Sequence, residues 1–124
     1  MMPRILIAAF VLLLACPVLA KPVSPPANRR YVPVYAHKYK PTEKHPRRSL
    51  QGDFIWAADS RDLRTAAIRW RSFVGTYGDK ELDSAIQARL ISIGKYELVR
   101  VYYLLGNVEA GDKLWKELDP LKLL

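Results

Sequence analysis

Two histidines, one cysteine and a set of arginines and lysines are the side chains with chemistry to offer, and their placement decides what they can do. His37 and His45 stand apart in a stretch holding one acid, Glu43, and no cysteine. A metal site needs several such ligands at close spacing, so solvated imidazoles are expected there and no bound metal. Ser60, Ser72, Ser84 and Ser92 have no histidine near them in sequence to act as a base, and the six glycines never gather into a phosphate loop. Asp79, Glu81 and Asp83 read as acids at a helix start, where they complement the dipole. No acid, base and nucleophile can be assigned together. The expectation is a chain that is not an enzyme and carries no cofactor.

Cys16, the only cysteine, belongs to a different chemistry. Arg4 supplies a positive start, Ile5 to Cys16 is an unbroken apolar run, and Pro17 breaks it. Val18-Leu19-Ala20 then places small or modest residues before a cut at Lys21, so residues 1–20 read as a signal peptide. The run is short of the roughly 20 apolar residues that span a bilayer. Leu13-Leu14-Ala15-Cys16 also resembles a bacterial lipobox, which makes Cys16 a candidate for lipidation. Either processing step predicts an exported protein, periplasmic or secreted, with no internal disulfide to staple its fold.

The remaining reactive groups are cationic. Lys21, Arg29, Arg30, Lys38, Lys40, Lys44, Arg47 and Arg48 face a single acid between residues 21 and 52, a local charge of +7. Residues 53–124 hold eleven bases and eleven acids and are neutral. Arg29, Arg30, Lys38, Lys40, Lys44, Arg47 and Arg48 are therefore the candidate contacts for a polyanion or surface, by counterion release and local field. Six prolines fall in the same stretch, and Val23, Val32, Val34, Leu50 and the tyrosines at 31, 35 and 39 are sparse for a core. Composition thus predicts a Pro-rich, disordered basic arm over 21–52.

The elements that would carry such an arm begin at Asp53. Leu63, Ala66, Ala67, Trp70, Phe73, Val74 and Tyr77 follow the amphipathic helical spacing, and the stripe extends back to Trp56 and Asp59, so a helix from near Asp53 is predicted. Ile68 falls on its polar side, as an ordinary exposed residue or a partner contact. Gly78 and Asp79 suit a helix end and the next N-cap, and Leu82, Ala85, Ile86, Leu90 and Ile93 give a second stripe that Gly94 interrupts. Lys95 to Leu105 makes a third element, and Val108 to Leu118 a fourth with Leu114, Trp115 and Leu118 on one face. Trp56, Trp70 and Trp115 all read as core. The fold class expected is all-α, a small bundle of about four helices arranged as helical hairpins over 53–124. The alternative is α+β, with Leu90–Ile93 and Tyr96–Val101 pairing across Gly94-Lys95 as a hairpin within 89–105.

A weak internal repeat favours the helices: Tyr77-Gly78-Asp79-Lys80-Glu81 corresponds to Leu105-Gly106-Asn107-Val108-Glu109. With Leu98 and Tyr102, Gly106-Asn107, Gly111 and Trp115, and Asp119-Pro120, residues 98–120 resemble part of a tetratricopeptide repeat. That resemblance implies a helix-turn-helix scaffold for protein binding.

Together these features predict a small exported helical adaptor that binds an envelope or secreted protein. Its basic arm would contact an anionic surface, such as lipid or a cell-wall polymer, or act as a tether. Two further readings are a secreted precursor, cut at Arg29-Arg30 and Arg47-Arg48 to release 31–46, and a nucleic-acid or polyanion binder acting through the arm, for which no base-reading motif is present.

Overall fold

Four side chains set the starts of the four longer helices. In the computed structural model, which describes residues 26–39, 44–82 and 84–118, Ser49 accepts a hydrogen bond from the Gly52 N–H, Asp62 from Thr65, Ser84 from Gln87 and Asn107 from Ala110. Each satisfies a donor that the helix cannot, and each is worth about 1 kcal/mol. After a 3-10 turn at Pro26–Asn28, the elements are α1 (Tyr35–Lys38), α2 (Leu50–Ala58), α3 (Leu63–Tyr77), α4 (Ala85–Leu104) and α5 (Val108–Glu117). Among the described residues the only β-pairing is a single bridge between Arg30 and Asp62. The protein is all-α.

Helix α4 is the axis, with α1, α2, α3 and α5 all packed against it. Its neighbours bring an aromatic cluster to one place: Phe54 from α2 meets Trp70 and Phe73 from α3 edge-on, at centroid separations of 5.3 and 5.8 Å. Trp70 and Phe73 cross at 90° and Tyr77 tilts against Phe73. Such edge contacts add about 0.5–1.5 kcal/mol per pair to the area the rings bury.

Several sequence expectations change here. The hairpin at 89–105 is not formed, and neither is a break at Gly94: α4 is one continuous helix through it. A Cβ at Gly94 would lie 2.6 Å from Phe73 Cε1, so the glycine lets α3 and α4 approach closely. The stripe from Trp56 to Tyr77 is two helices. The chain turns at Asp59, and Asp62 caps α3. Asp79 is not a cap, since α4 starts six residues later behind Ser84. Gly78 keeps a right-handed backbone while Gly106 adopts φ +84°, so the two members of the internal repeat end their helices differently. Of the tryptophans only Trp70 is fully buried; Trp56 is half-buried and Trp115 is exposed.

The largest correction concerns 21–52. Tyr31, Ala36 and Leu50 belong to the core, and α2 begins at Leu50, inside the stretch read as a disordered arm. Backbone hydrogen bonds from Tyr31 N–H to the Arg61 carbonyl and from Leu63 N–H to the Arg29 carbonyl tie this segment to the start of α3. Its few apolar residues are enough because a polar group on α4 completes the attachment.

Candidate functional site

That group is Glu97, whose side chain is completely buried on α4. One carboxylate oxygen accepts the backbone N–H groups of Val34, Tyr35 and Ala36, at 3.0, 3.0 and 3.4 Å. The other accepts the Tyr31 hydroxyl at 2.8 Å and Arg100 Nη2 at 2.9 Å. Tyr31 in turn accepts from Trp70 Nε1, and Arg100 also donates to the Val32 carbonyl. A buried carboxylate is tolerated only when its lone pairs are filled, and these donors fill them. Burial, and next the negative charge of Glu97, push the Tyr31 hydroxyl well above the ordinary tyrosine range. The cluster is a latch holding 31–36 to α4, with both carboxylate oxygens engaged. Arg100 Nε is buried without a partner among the described residues.

A second polar hub sits at the start of α2. Asp53 accepts from Arg47 Nε, the Arg48 N–H and the Tyr77 hydroxyl, each at 2.9 Å. Burial raises its carboxyl, but the hydrogen bonds from Arg47, Arg48 and Tyr77 outweigh it and the net shift is downward. The Tyr77 hydroxyl, desolvated and facing this carboxylate, is pushed up to about 12. Arg47 also stacks 3.6 Å from the centre of the Trp56 ring, with Arg69 4.8 Å from it.

A groove of about 310 Å³ opens where α3, α4 and α5 meet, apart from a larger, more polar recess of about 490 Å³ beside Lys80, Ser92 and Lys95. Val74, Leu98, Tyr102, Ala110 and Leu114 form the groove's apolar lining, and Gly75 leaves one wall without a side chain. Arg71, Lys113 and Glu117 stand at its rim. A smaller recess of about 210 Å³ lies between α4 and α5, lined by Tyr96, Val99, Arg100, Tyr103 and Trp115.

The basic residues singled out in the sequence do not form one site. Arg29 and Arg30 are exposed beside the start of α3, whereas Arg47 and Arg48 are held at the start of α2 by Asp53. Lys38 is exposed with its Nζ 5.7 Å from the Tyr39 ring, and Lys44 is exposed. Lys40, Cys16 and the whole segment 1–20 lie outside the described residues. His37 is exposed and His45 half-buried. Sequence reasoning missed Glu97 and the groove. A lone carboxylate inside the apolar run 90–105 was the available signal for the first, because such a residue needs donors from elsewhere.

The chain matches no protein-family model, no curated protein and no solved structure.

Proposed function

We propose that this is an exported, non-enzymatic helical adaptor that holds an amphipathic segment of an envelope or secreted protein in the groove between α3, α4 and α5. The observation that carries the reading is the groove itself: an apolar lining drawn from three helices, open at Gly75, with charges confined to the rim. Arg71 and Lys113 outnumber Glu117 there, which favours a segment with apolar anchors and an acidic flank. The likeness of 98–120 to a helix-turn-helix binding repeat agrees with it, as α4 and α5 form a helical hairpin closed at Gly106. The conspicuous buried polar groups, Glu97 and Tyr31, are engaged in holding the chain together rather than turned to solvent. Export rests on the apolar run and cut site before Lys21.

The precursor reading fits less well. Releasing 31–46 would take Tyr31 and Ala36 out of the core and leave Glu97 with Arg100 as its one remaining donor among the described residues.

A photo-crosslinking side chain placed at Lys113 tests the proposal in the cells that make the protein. The expected result is one dominant adduct with an exported protein, absent when Gly75→Leu fills the groove. An adduct that forms equally well with Gly75→Leu would show that the groove does not hold the partner.

A further inference from the structure

We infer that the exposed face at the start of α3 is a contact site for an anionic phospholipid surface, formed by arginines from two distant parts of the chain. The bridge between Arg30 and Asp62, with its hydrogen bonds Tyr31 N–H to Arg61 carbonyl (2.8 Å) and Leu63 N–H to Arg29 carbonyl (2.9 Å), brings Arg29 and Arg30 beside Arg61 and Arg64. All four side chains are exposed, and none closes an ion pair among the described residues. The acids nearby do not cancel them. Asp62 is committed to the Thr65 N–H as the cap of α3, and hydrogen bonds from Thr65, with a smaller contribution from the charge of Arg64, hold its carboxyl below the ordinary range. Asp59 is the other acid of this region, so four cations face two anions. Helix α3 itself contains no acid.

The choice of a lipid surface over other polyanions comes from Ile68. It lies one turn beyond Arg64, opposite the buried stripe of Leu63, Ala66, Trp70, Phe73 and Tyr77, and is 59% exposed. An isoleucine standing among guanidinium groups suits a headgroup layer, where cations meet phosphates and an apolar side chain enters the acyl boundary. Stacking on nucleic-acid bases would need aromatic side chains, and this face presents none: the nearest tryptophan, Trp56, is taken up by Arg47 and Arg69. The side chains carry this face while the backbone of 29–31 and 61–63 carries the fold, so their neutralisation leaves the bridge in place.

The test is partition of the full chain onto vesicles of phosphatidylglycerol mixed with phosphatidylcholine, divided by partition onto phosphatidylcholine alone. That ratio cancels any contribution of the apolar run at residues 5–16. At about a fivefold effect per arginine near an anionic surface, Arg61→Gln with Arg64→Gln lowers the ratio roughly thirtyfold. Arg29→Gln with Arg30→Gln does the same, and Ile68→Ser lowers binding to the anionic vesicles several-fold. Lys80→Gln with Lys116→Gln removes the same charge elsewhere and changes the ratio less than about twofold. Equal losses from the arginine and lysine pairs would reduce the effect to net charge and overturn the inference. So would a single-stranded RNA that displaces the protein from vesicles through the same arginines, since the face would then belong to nucleic acid. Circular dichroism of each variant confirms that the helices persist.

Discussion

Replacing Glu97 by glutamine changes almost no volume and removes the acceptor on which the first part of the chain is seated. The carboxylate receives five donors and offers none: three backbone N–H groups on one oxygen, Tyr31 and Arg100 on the other. A glutamine amide can present its oxygen to Val34, Tyr35 and Ala36, but its NH2 then faces Arg100, donor against donor. The opposite flip satisfies Arg100 and sets the NH2 against the three backbone donors. Either way a buried guanidinium or a turn of backbone loses its partner, a loss of about 3–5 kcal/mol for a broken buried pair. That is a large share of the 5–15 kcal/mol typical of a small domain. Hydrogen exchange resolves where it acts. In the native chain the amides of 34–36 exchange slowly. In Glu97→Gln they exchange at near-unfolded rates, while the amides of Trp70, Phe73 and Val101 remain protected and open only through the destabilised global transition. Denaturant unfolding of the same variant gives the energy. Unaltered protection at 34–36 together with an unshifted midpoint would refute the latch.

Other outcomes follow from the same contacts. Gly94→Ala drives a methyl to 2.6 Å from Phe73, which is locked in the aromatic cluster, and is expected to destabilise by about 1–3 kcal/mol in thermal unfolding. Gly111→Ala meets the Tyr103 ring at 2.7 Å, but Tyr103 is exposed and can swing aside, so a smaller loss is expected. The Tyr77 hydroxyl titrates at about 12, so its contribution to stability is complete below the ordinary tyrosine value near 10 and is lost as pH rises from there towards 12. Ultraviolet titration should show Tyr31, Tyr77 and Tyr103 ionising late, with only the Tyr77 step moved down in Asp53→Asn. Asp53 has the opposite sign: its lowered carboxyl stabilises above the ordinary aspartate value near 4, and that contribution fades as pH falls below it.

The all-α class and the packing face of α3 were legible, because Leu63, Ala66, Trp70, Phe73 and Tyr77 keep helical spacing and are all buried. What misled the reading was local inference about residues whose role is long-range. Gly94 has the local character of a helix breaker, yet its missing side chain is used by Phe73 twenty-one residues away. Likewise, the composition of 21–52 counts too few apolar residues for a core, and no count can register that a glutamate more than sixty residues away binds three backbone amides of that stretch. Trp56 fits an apolar stripe, but two arginines from separate segments cover it. The groove was not legible because its lining is shared among three helices whose faces only their packing aligns.

The binding role of that groove is tested most directly at Gly75. Its position inside α3 is open, with no atom within 4 Å of an added Cβ. Gly75→Leu should raise stability by up to about 0.5–1 kcal/mol through helix propensity, while placing a side chain in the groove. Toward the partner segment captured from Lys113, Gly75→Leu is expected to bind at least about tenfold more weakly while unfolding at a higher temperature. Undiminished affinity in that stabilised variant would contradict a binding role for the groove.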